Sequence, residues 1–281
     1  MLTTLKALYI INNVFIHEVI LMKEFFREFF GIGGYKREAE GYMSWQHLTF
    51  VTSLMLVMVA LAIYFGRKNK GKDEKIKNKV LIWSAILIDG LEIFKIIMGC
   101  VATKDPFNWL YDLPLFLCSI QLITIPLAAF SKGKVKNASL DFVFVFGILG
   151  AVLGTYAAGN NYASYPVLGF DNVVSGITHS ISGFASLYIV ISGMQSMKKE
   201  NALIVFLIML AFAIMALIAN LTIDYNYMFL MRGDGTPYDI FYNLVNGNAV
   251  IYPIIVVLLF AVYIFAFYAI YYLITKKLKK A

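Results

Sequence analysis

Charged residues are scarce in this chain. Asp, Glu, Lys and Arg together make up 15% of its 281 residues, whereas hydrophobic residues make up 60% and the mean hydropathy is +0.74. A water-soluble domain of this composition would expose much of its apolar surface to water. The composition therefore excludes an ordinary soluble protein and predicts a chain that crosses a membrane several times.

Cysteine and the common nucleotide-binding and hydrolase motifs are also scarce or missing. The two cysteines, Cys100 and Cys118, lie in apolar stretches, and neither belongs to a CxxC pair or to a Cys/His cluster. This pattern predicts no metal site and leaves the redox environment undecided. The chain has no Gly-rich phosphate loop, dinucleotide fingerprint or GxSxG elbow, so we expect neither a nucleotide nor another cofactor.

Seven apolar runs of roughly 20 residues each match the ~30 Å hydrocarbon core at ~1.5 Å of helical rise per residue. The runs are Trp45–Gly66, Val80–Val101, Leu113–Phe130, Ala138–Ala157, Val173–Met194, Ala202–Ile223 and Ala249–Ile274. A spanning chain must satisfy its backbone hydrogen bonds internally, so each run is predicted to be a helix. We expect an all-α polytopic membrane domain of about seven transmembrane helices over residues 42–281.

Basic residues are concentrated in alternate loops. They occupy Arg67–Lys79, residues 132–136, residues 198–199 and the tail at 276–280, which accounts for much of the net charge of +7. The positive-inside rule then places the C-terminus in the cytoplasm and the N-terminus outside, and no nucleic-acid partner is expected. The lysines could also touch anionic lipid, although their role in orientation explains them more simply. The Lys/Asn/Ile-rich, Pro-poor composition suggests a bacterial plasma membrane.

The first 41 residues are predicted to form an interfacial amphipathic helix and a linker. The apolar stretch Ala7–Ile16 runs into His17 and Glu18 without a small-residue cleavage site, which argues against a signal peptide. Charged residues interrupt the following segment at helical intervals, so it should lie in the interface rather than span it. It could be a lid that guides lipid towards a site, or an anchor resting on the bundle.

Ionisable residues within the apolar runs are costly in hydrocarbon and indicate a partner or a polar cavity. Glu92 and Lys95 lie within one turn of each other, and they could form a structural ion pair or line an active site. Further polar residues are predicted to bind substrate or to support a site. They are His47, Ser119, Gln121, Ser182, Asn220, Asp224 and Tyr252.

A thiol and an imidazole are predicted at one depth. Cys118 lies about 9 Å of helical rise beyond Asp112, and His179 about 10 Å beyond Asn172. His179 also belongs to a polar stripe, Ser175, His179, Ser182 and Ser186, on one helical face. The two groups could react together. Alternatively, Cys118 is a packing residue and His179 only hydrogen-bonds a serine or a carboxylate.

Three segments carry a resemblance to a known family over roughly residues 45–272. They are Leu113-Pro-Leu-Phe-Leu-Cys-Ser-Ile120, the His-bearing fifth run, and Asn220–Leu230 followed by Tyr252-Pro253. They resemble the bacterial YwaF-like integral membrane proteins, which are similar to eukaryotic transmembrane protein 164. The resemblance implies a fatty-acyl transferase acting on phospholipids that requires Cys118 and His179. Phe116 stands where the family pattern leads us to expect His or another polar residue.

These observations lead to a catalytic hypothesis. Glu92 or a serine would orient His179, and His179 would take the proton of Cys118, whose thiolate would attack a lipid ester and form a thioester. The acyl donor would be a phospholipid, and the acceptor would be a lysophospholipid or water. Lys95, Asn220, Ser119 or a tyrosine could polarise the carbonyl group of the ester. The competing hypotheses are a small-solute binding or transport protein with an outward-facing polar pocket, and a purely structural protein.

Overall fold

The computed structural model describes residues 17–195 and 197–278, and every regular element in them is helical. Within these residues the chain forms ten helices and two short 3-10 turns, Asn108–Tyr111 and Tyr227–Phe229. The helices are α1 (17–29), α2 (Trp45–Asn69), α3 (Glu74–Thr103), α4 (Gln121–Phe130), α5 (Gly133–Tyr156), α6 (Gly159–Ser164), α7 (Phe170–Ser192), α8 (Lys199–Ile223), α9 (Asp239–Leu244) and α10 (Ile251–Leu278). The all-α class is confirmed.

Five helical stretches of the described chain are long and apolar enough to cross a membrane. They are α2, α5 together with α6, α7, α8 and α10. The predicted count of seven is not confirmed. Helix α3 has 30 residues, but Asp89, Glu92 and Lys95 make its middle polar. The run Leu113–Phe130 contains only the 10-residue α4.

The prediction that helix extends from Leu113 is wrong for residues 113–120, which form successive turns. Pro114 disfavours helical backbone at Leu113, because its ring crowds the preceding residue. The Tyr227 hydroxyl accepts the Leu113 N–H at 3.1 Å, and the Ser119 hydroxyl accepts the Phe116 N–H at 3.0 Å. Irregular backbone at membrane depth survives only where protein surrounds and satisfies it. Protein surrounds this segment and satisfies the Leu113 and Phe116 N–H groups.

Helices α5 and α7 form the centre of the bundle. Helices α2 and α3 pack against α7, α4 packs against both α3 and α5, and α8 pairs with α10. Glycines permit the close approach of α5 and α7, since a Cβ atom on Gly147 would lie 2.7 Å from the Ser182 carbonyl oxygen. Large apolar side chains remain exposed around the bundle, as on Leu221 and Leu258, and would face lipid.

The two ends of the bundle differ. At one end, which we call the loop-rich end, α3, α5 and α8 terminate and α2, α7 and α10 begin. The opposite end carries the lysine-bearing connections, and we call it the basic end. The N-terminal segment packs at the loop-rich end, where the Phe30 ring lies 4.9 Å from Phe170 and 6.1 Å from Phe94. Exposed Leu21 and Phe25 suit an interfacial helix. The predicted stretch 7–16 lies outside the described residues.

Candidate active site

The structure brings Cys118 and His179 together against one face of α5. A Cβ atom on Gly150 would lie 3.5 Å from the Cys118 Cβ, and one on Gly154 would lie 2.1 Å from the His179 Nε2. These glycines are four residues apart, so the two side chains lie within about 6 Å along the α5 axis. The thiol and the imidazole are close enough to influence each other electrostatically. Cys118 therefore lies within about one helical turn of His179 along α5, although the backbone leading to it is not helical.

The hydrogen bonds of His179 define which ring nitrogen can act as a base. Nδ1 lies 2.7 Å from the Ser175 carbonyl oxygen, an acceptor, so Nδ1 carries the proton and donates it. In the neutral ring, Nε2 then carries a lone pair. Nε2 is buried and makes no hydrogen bond of regular geometry with any described residue. This is the tautomer that a general base acting on Cys118 requires.

Two glycines of α5 belong to the site and were not among the predicted residues. The Gly154 Cβ position lies 2.0 Å from the His179 Cδ2, so any side chain there would occupy the space of the imidazole. At Gly150, the contact with Cys118 is an ordinary van der Waals distance. Their spacing of four in an apolar run was an available signal, because small residues at i and i+4 mark close helix contacts in membranes.

Cys118 precedes the amino terminus of α4, where backbone N–H groups lack helical partners. The N–H groups of Leu117, Cys118 and Ser119 bond to no other group in the described parts of the chain. Gln121, in the first turn, is fully buried, and its Nε2 has no partner within the same residues. These donors adjoin Cys118 along the chain and could bind an oxyanion that forms at its sulfur.

A network of three charges borders the Cys118–His179 pair. The Lys95 ammonium lies 2.6 Å from Glu92 and 3.3 Å from Asp112, and all three side chains are largely buried. The Glu92–Lys95 ion pair was one of the two predicted arrangements, whereas the participation of Asp112 was not predicted. Glu92 acts electrostatically on the Cys118 thiol, and Lys95 acts on the His179 ring. The Ser175 carbonyl, rather than Glu92, orients His179.

His47 has a structural position rather than a place beside the thiol. Its Nδ1 accepts the Met43 N–H at 3.1 Å, and its Nε2–H donates to the Thr155 carbonyl at 3.1 Å. The ring also packs 3.9 Å from the Tyr162 ring. Since both nitrogens are occupied, His47 fixes the start of α2 against the end of α5. The prediction that His47 binds substrate or supports the pair stays a prediction.

Three other predicted residues serve the loop after α8 or its surroundings. The Asn220 side chain bonds the backbone N–H and carbonyl of Tyr227 at 2.6 and 3.0 Å, which closes this loop. Asp224 is the exposed residue that ends α8, with φ of 49°. The Tyr252 hydroxyl is buried without a partner among the described residues, and its ring packs against Tyr242. Within those residues, no hydrogen bond joins these three side chains to Cys118 or His179.

The last two predicted residues lie close to the pair in sequence. The Ser119 hydroxyl is used within its own turn, donating to the Phe116 carbonyl at 3.0 Å. The Ser182 hydroxyl, one turn beyond His179, is buried and has no partner in the described chain. Ser182 therefore remains available to the site, whereas Ser119 contributes its backbone N–H. Phe116 packs its ring 5.0 Å from Tyr227.

Tyr227 is a site-forming residue that the sequence analysis did not single out. Its hydroxyl accepts the Leu113 N–H and donates to the Leu110 carbonyl, so it fixes both sides of the turn at Asp112. The motif Asn220–Leu230 contained it, but only the folded chain shows that this motif contacts the segment leading to Cys118. Through it, the loop after α8 positions the nucleophile segment.

Comparison with known protein families gives a match over most of the chain. A family model described as the TMEM164 family matches residues 42–277, from the segment before α2 nearly to the end of α10. The chain belongs to the TMEM164 family. The match confirms the similarity to transmembrane protein 164 expected from the sequence, and it fits a multi-pass membrane protein. No curated protein and no solved structure matches the chain.

Proposed function

We propose that this TMEM164-family protein transfers fatty-acyl groups from phospholipids through a thioester on Cys118. One observation carries the proposal: the Nδ1–H of His179 bonds the Ser175 carbonyl, which leaves the lone pair of the buried Nε2 free on the α5 face that also contacts Cys118. A base held in the correct tautomer next to a thiol is the arrangement that nucleophilic catalysis requires. Family membership and the apolar bundle supply a lipid setting.

In the first step, Nε2 of His179 takes the thiol proton, and the sulfur of Cys118 attacks the carbonyl carbon of a phospholipid ester. A C–S bond forms while the carbonyl electron pair moves to oxygen. When the tetrahedral intermediate collapses, the ester C–O bond breaks and His179 returns its proton to the leaving oxygen. The products are a lysophospholipid and an acyl thioester on Cys118. General acid–base assistance of this kind typically contributes ~10²–10⁴-fold.

In the second step, a hydroxyl group attacks the thioester. His179 takes the hydroxyl proton, a new C–O bond forms, the C–S bond breaks, and the proton returns to the sulfur. A lysophospholipid acceptor makes the enzyme a transferase, and water makes it a hydrolase. Removing one donor to an oxyanion typically costs ~10²–10³-fold, so the N–H groups at Cys118 and Ser119, with Gln121, would contribute substantially in both steps.

The charge network supports an enzyme over a solute carrier. Lys95 already contacts two carboxylates, Glu92 and Asp112, so binding a charged solute would have to break a largely buried ion pair. The network instead holds α3 against the segment that leads to Cys118. A carrier should be stabilised by its solute without turnover, whereas the enzyme should consume phospholipid in the absence of any added solute.

The test is acyl exchange by the full-length protein in nanodiscs that contain a phospholipid with a labelled acyl chain. Cys118→Ala should abolish exchange, and His179→Gln should lower it by ~10²-fold or more. Cys100→Ala and His47→Gln remove the same groups elsewhere, so they control for loss of a thiol or an imidazole. Added lysophospholipid separates transfer from hydrolysis. Full exchange by folded Cys118→Ala protein would refute the proposal.

We also infer that the loop-rich end faces the cell exterior and the basic end faces the cytoplasm of a bacterial plasma membrane. The supporting observation is the lysine-rich composition of the basic end, which the positive-inside rule assigns to the cytoplasm. Labelling of intact cells with a membrane-impermeant thiol reagent tests this. A cysteine introduced at Asp234 should react, one introduced at Lys70 should not, and the reverse pattern would contradict the orientation.

A further inference from the structure

A cleft of about 570 Å³ opens at the basic end of the bundle, away from Cys118. It lies where the start of α3, the end of α4 and the start of α5 meet. Its lining includes Glu74, Lys75, Asn78, Phe130, Lys132 and Lys136. The volume is within the range of small-molecule sites, ~300–1,000 Å³. No part of the proposed acyl-transfer chemistry uses this cleft.

Lys136 forms the floor of the cleft. This lysine is only 9% exposed, and its ammonium donates to Asn78 Oδ1 at 2.9 Å and contacts Glu74 Oε1 at 2.9 Å. The Asn78 amide is itself fixed, because its Nδ2 donates to the Ala129 carbonyl. An ammonium has three N–H donors, and two of them are used. The third can bind a ligand in the cleft without displacing either partner.

The rim of the cleft adds two cations. Lys75 and Lys132 are exposed, and neither forms an ion pair within the described chain. The lining therefore carries three lysines and one carboxylate, the latter on Glu74. Helix α5 also begins here, with Lys132 as its N-cap and no side chain capping its first N–H groups. This electrostatic environment favours an anion, and phosphate in particular.

Apolar side chains adjoin the lysines. The Phe130 side chain lines the cleft and is 62% exposed, and that of Val135 on the first turn of α5 is 53% exposed. Lysines that only orient the chain need neither a buried ammonium nor a cleft, so orientation does not account for Lys136. A charged cleft beside exposed apolar groups at the end of a membrane bundle suits an amphiphilic anion.

We propose that this cleft binds the phosphate group of an anionic phospholipid from the leaflet at the basic end. The phosphate would contact Lys75, Lys132 and the free donor of Lys136, while the acyl chains lie along Phe130. Such a lipid would join α3, α4 and α5 at their common end.

The test is a titration of the full-length protein in neutral detergent with phosphatidylglycerol, followed by the midpoint of thermal unfolding. A ligand that binds only the folded protein raises this midpoint progressively with its concentration, and the concentration dependence gives an apparent Kd. The variant Lys75→Gln/Lys132→Gln removes the rim cations at exposed positions where folding is not at risk. The matched control, Lys79→Gln/Lys134→Gln, removes two exposed lysines of the same end that do not line the cleft.

The proposal predicts concentration-dependent stabilisation of the unmodified protein, an apparent Kd at least about tenfold weaker in the rim variant, and less than about a threefold change in the control. Acyl exchange should persist in the rim variant, which separates this proposal from that for Cys118. Equal weakening of lipid binding in both variants would overturn the proposed lipid site, because it would indicate a general surface-charge effect. Stabilisation by inorganic phosphate as strong as that by the lipid, or stabilisation by phosphatidylcholine alone, would also overturn it.

Discussion

Gly154→Ala is the sharpest perturbation of the proposed site, because it adds one methyl group and no charge. The new Cβ would lie 2.0 Å from the His179 Cδ2 and 2.1 Å from its Nε2. An ordinary contact begins near 3.4 Å, so the ring must move by about 1.4 Å relative to α5. That displacement would carry Nε2 away from Cys118 or break the bond from Nδ1 to the Ser175 carbonyl.

The expected loss of activity follows from this distance. Misplacement of a reacting group by ~1 Å can cost ~10²-fold in rate, so Gly154→Ala should lower acyl exchange by about two orders of magnitude. The folded state should lose only ~1–3 kcal/mol from overpacking, partly offset by the higher helix propensity of alanine, ~1 kcal/mol. The protein should therefore remain folded while the chemistry fails.

Gly150→Ala is the matched control, since it makes the same change one turn earlier on the same helix. Its Cβ would lie 3.5 Å from that of Cys118, which is an acceptable contact, and activity should fall less than about fivefold. The assay is acyl exchange in nanodiscs together with thermal unfolding. Equal activity in Gly154→Ala and Gly150→Ala proteins, both folded, would show that the position of His179 does not govern the reaction.

Three further predictions concern the surroundings of the site. Lys95→Met leaves two largely buried carboxylates without their cation and should destabilise the protein by about 3 kcal/mol in denaturant unfolding; an unchanged midpoint would contradict this. Tyr227→Phe should cost ~1–3 kcal/mol and speed amide exchange at Leu113, whereas unaltered protection there would refute the role of the hydroxyl. The backbone N–H groups of Lys36 and Arg37 donate to the Glu28 carboxylate and hold its pKa below the ordinary 4.5. The two hydrogen bonds should therefore persist above pH 4.5 and be lost as the pH falls through the lowered pKa. The amide resonances of residues 36 and 37 should report the loss, and resonances that respond only above the ordinary value would reverse the assigned direction.

The long apolar helices were predictable because burial in hydrocarbon demands length and composition that few other structures need. The predicted Ala202–Ile223 and the observed Lys199–Ile223 end at the same residue. Trp45 begins both the first predicted membrane span and the observed helix α2. The break before α4 was not predictable in the same way. Its partner Tyr227 lies 114 residues from Leu113 in the sequence, and local periodicity contains no information about such a contact.

The site was predicted in part, and the reason differs from residue to residue. Cys118 and His179 stood out because reactive polar groups are rare in apolar runs. His47 was grouped with the supporting residues in the sequence, but its hydrogen bond to the Thr155 carbonyl, 108 residues away, could be seen only in the fold. Gly154 and the Ser175 carbonyl were missed because their roles depend on shape and on backbone direction rather than on side-chain chemistry.

The most direct test of the account is to trap the acyl-enzyme. The full-length protein is incubated with phospholipid, quenched in acid and digested, and the peptides that carry Cys118 and Cys100 are compared by mass spectrometry. The account predicts a hydroxylamine-sensitive acyl adduct on Cys118 alone, which is strongly reduced in His179→Gln and Gly154→Ala proteins. An adduct present equally on Cys100, or acyl exchange that proceeds while Cys118 is never acylated, would contradict it.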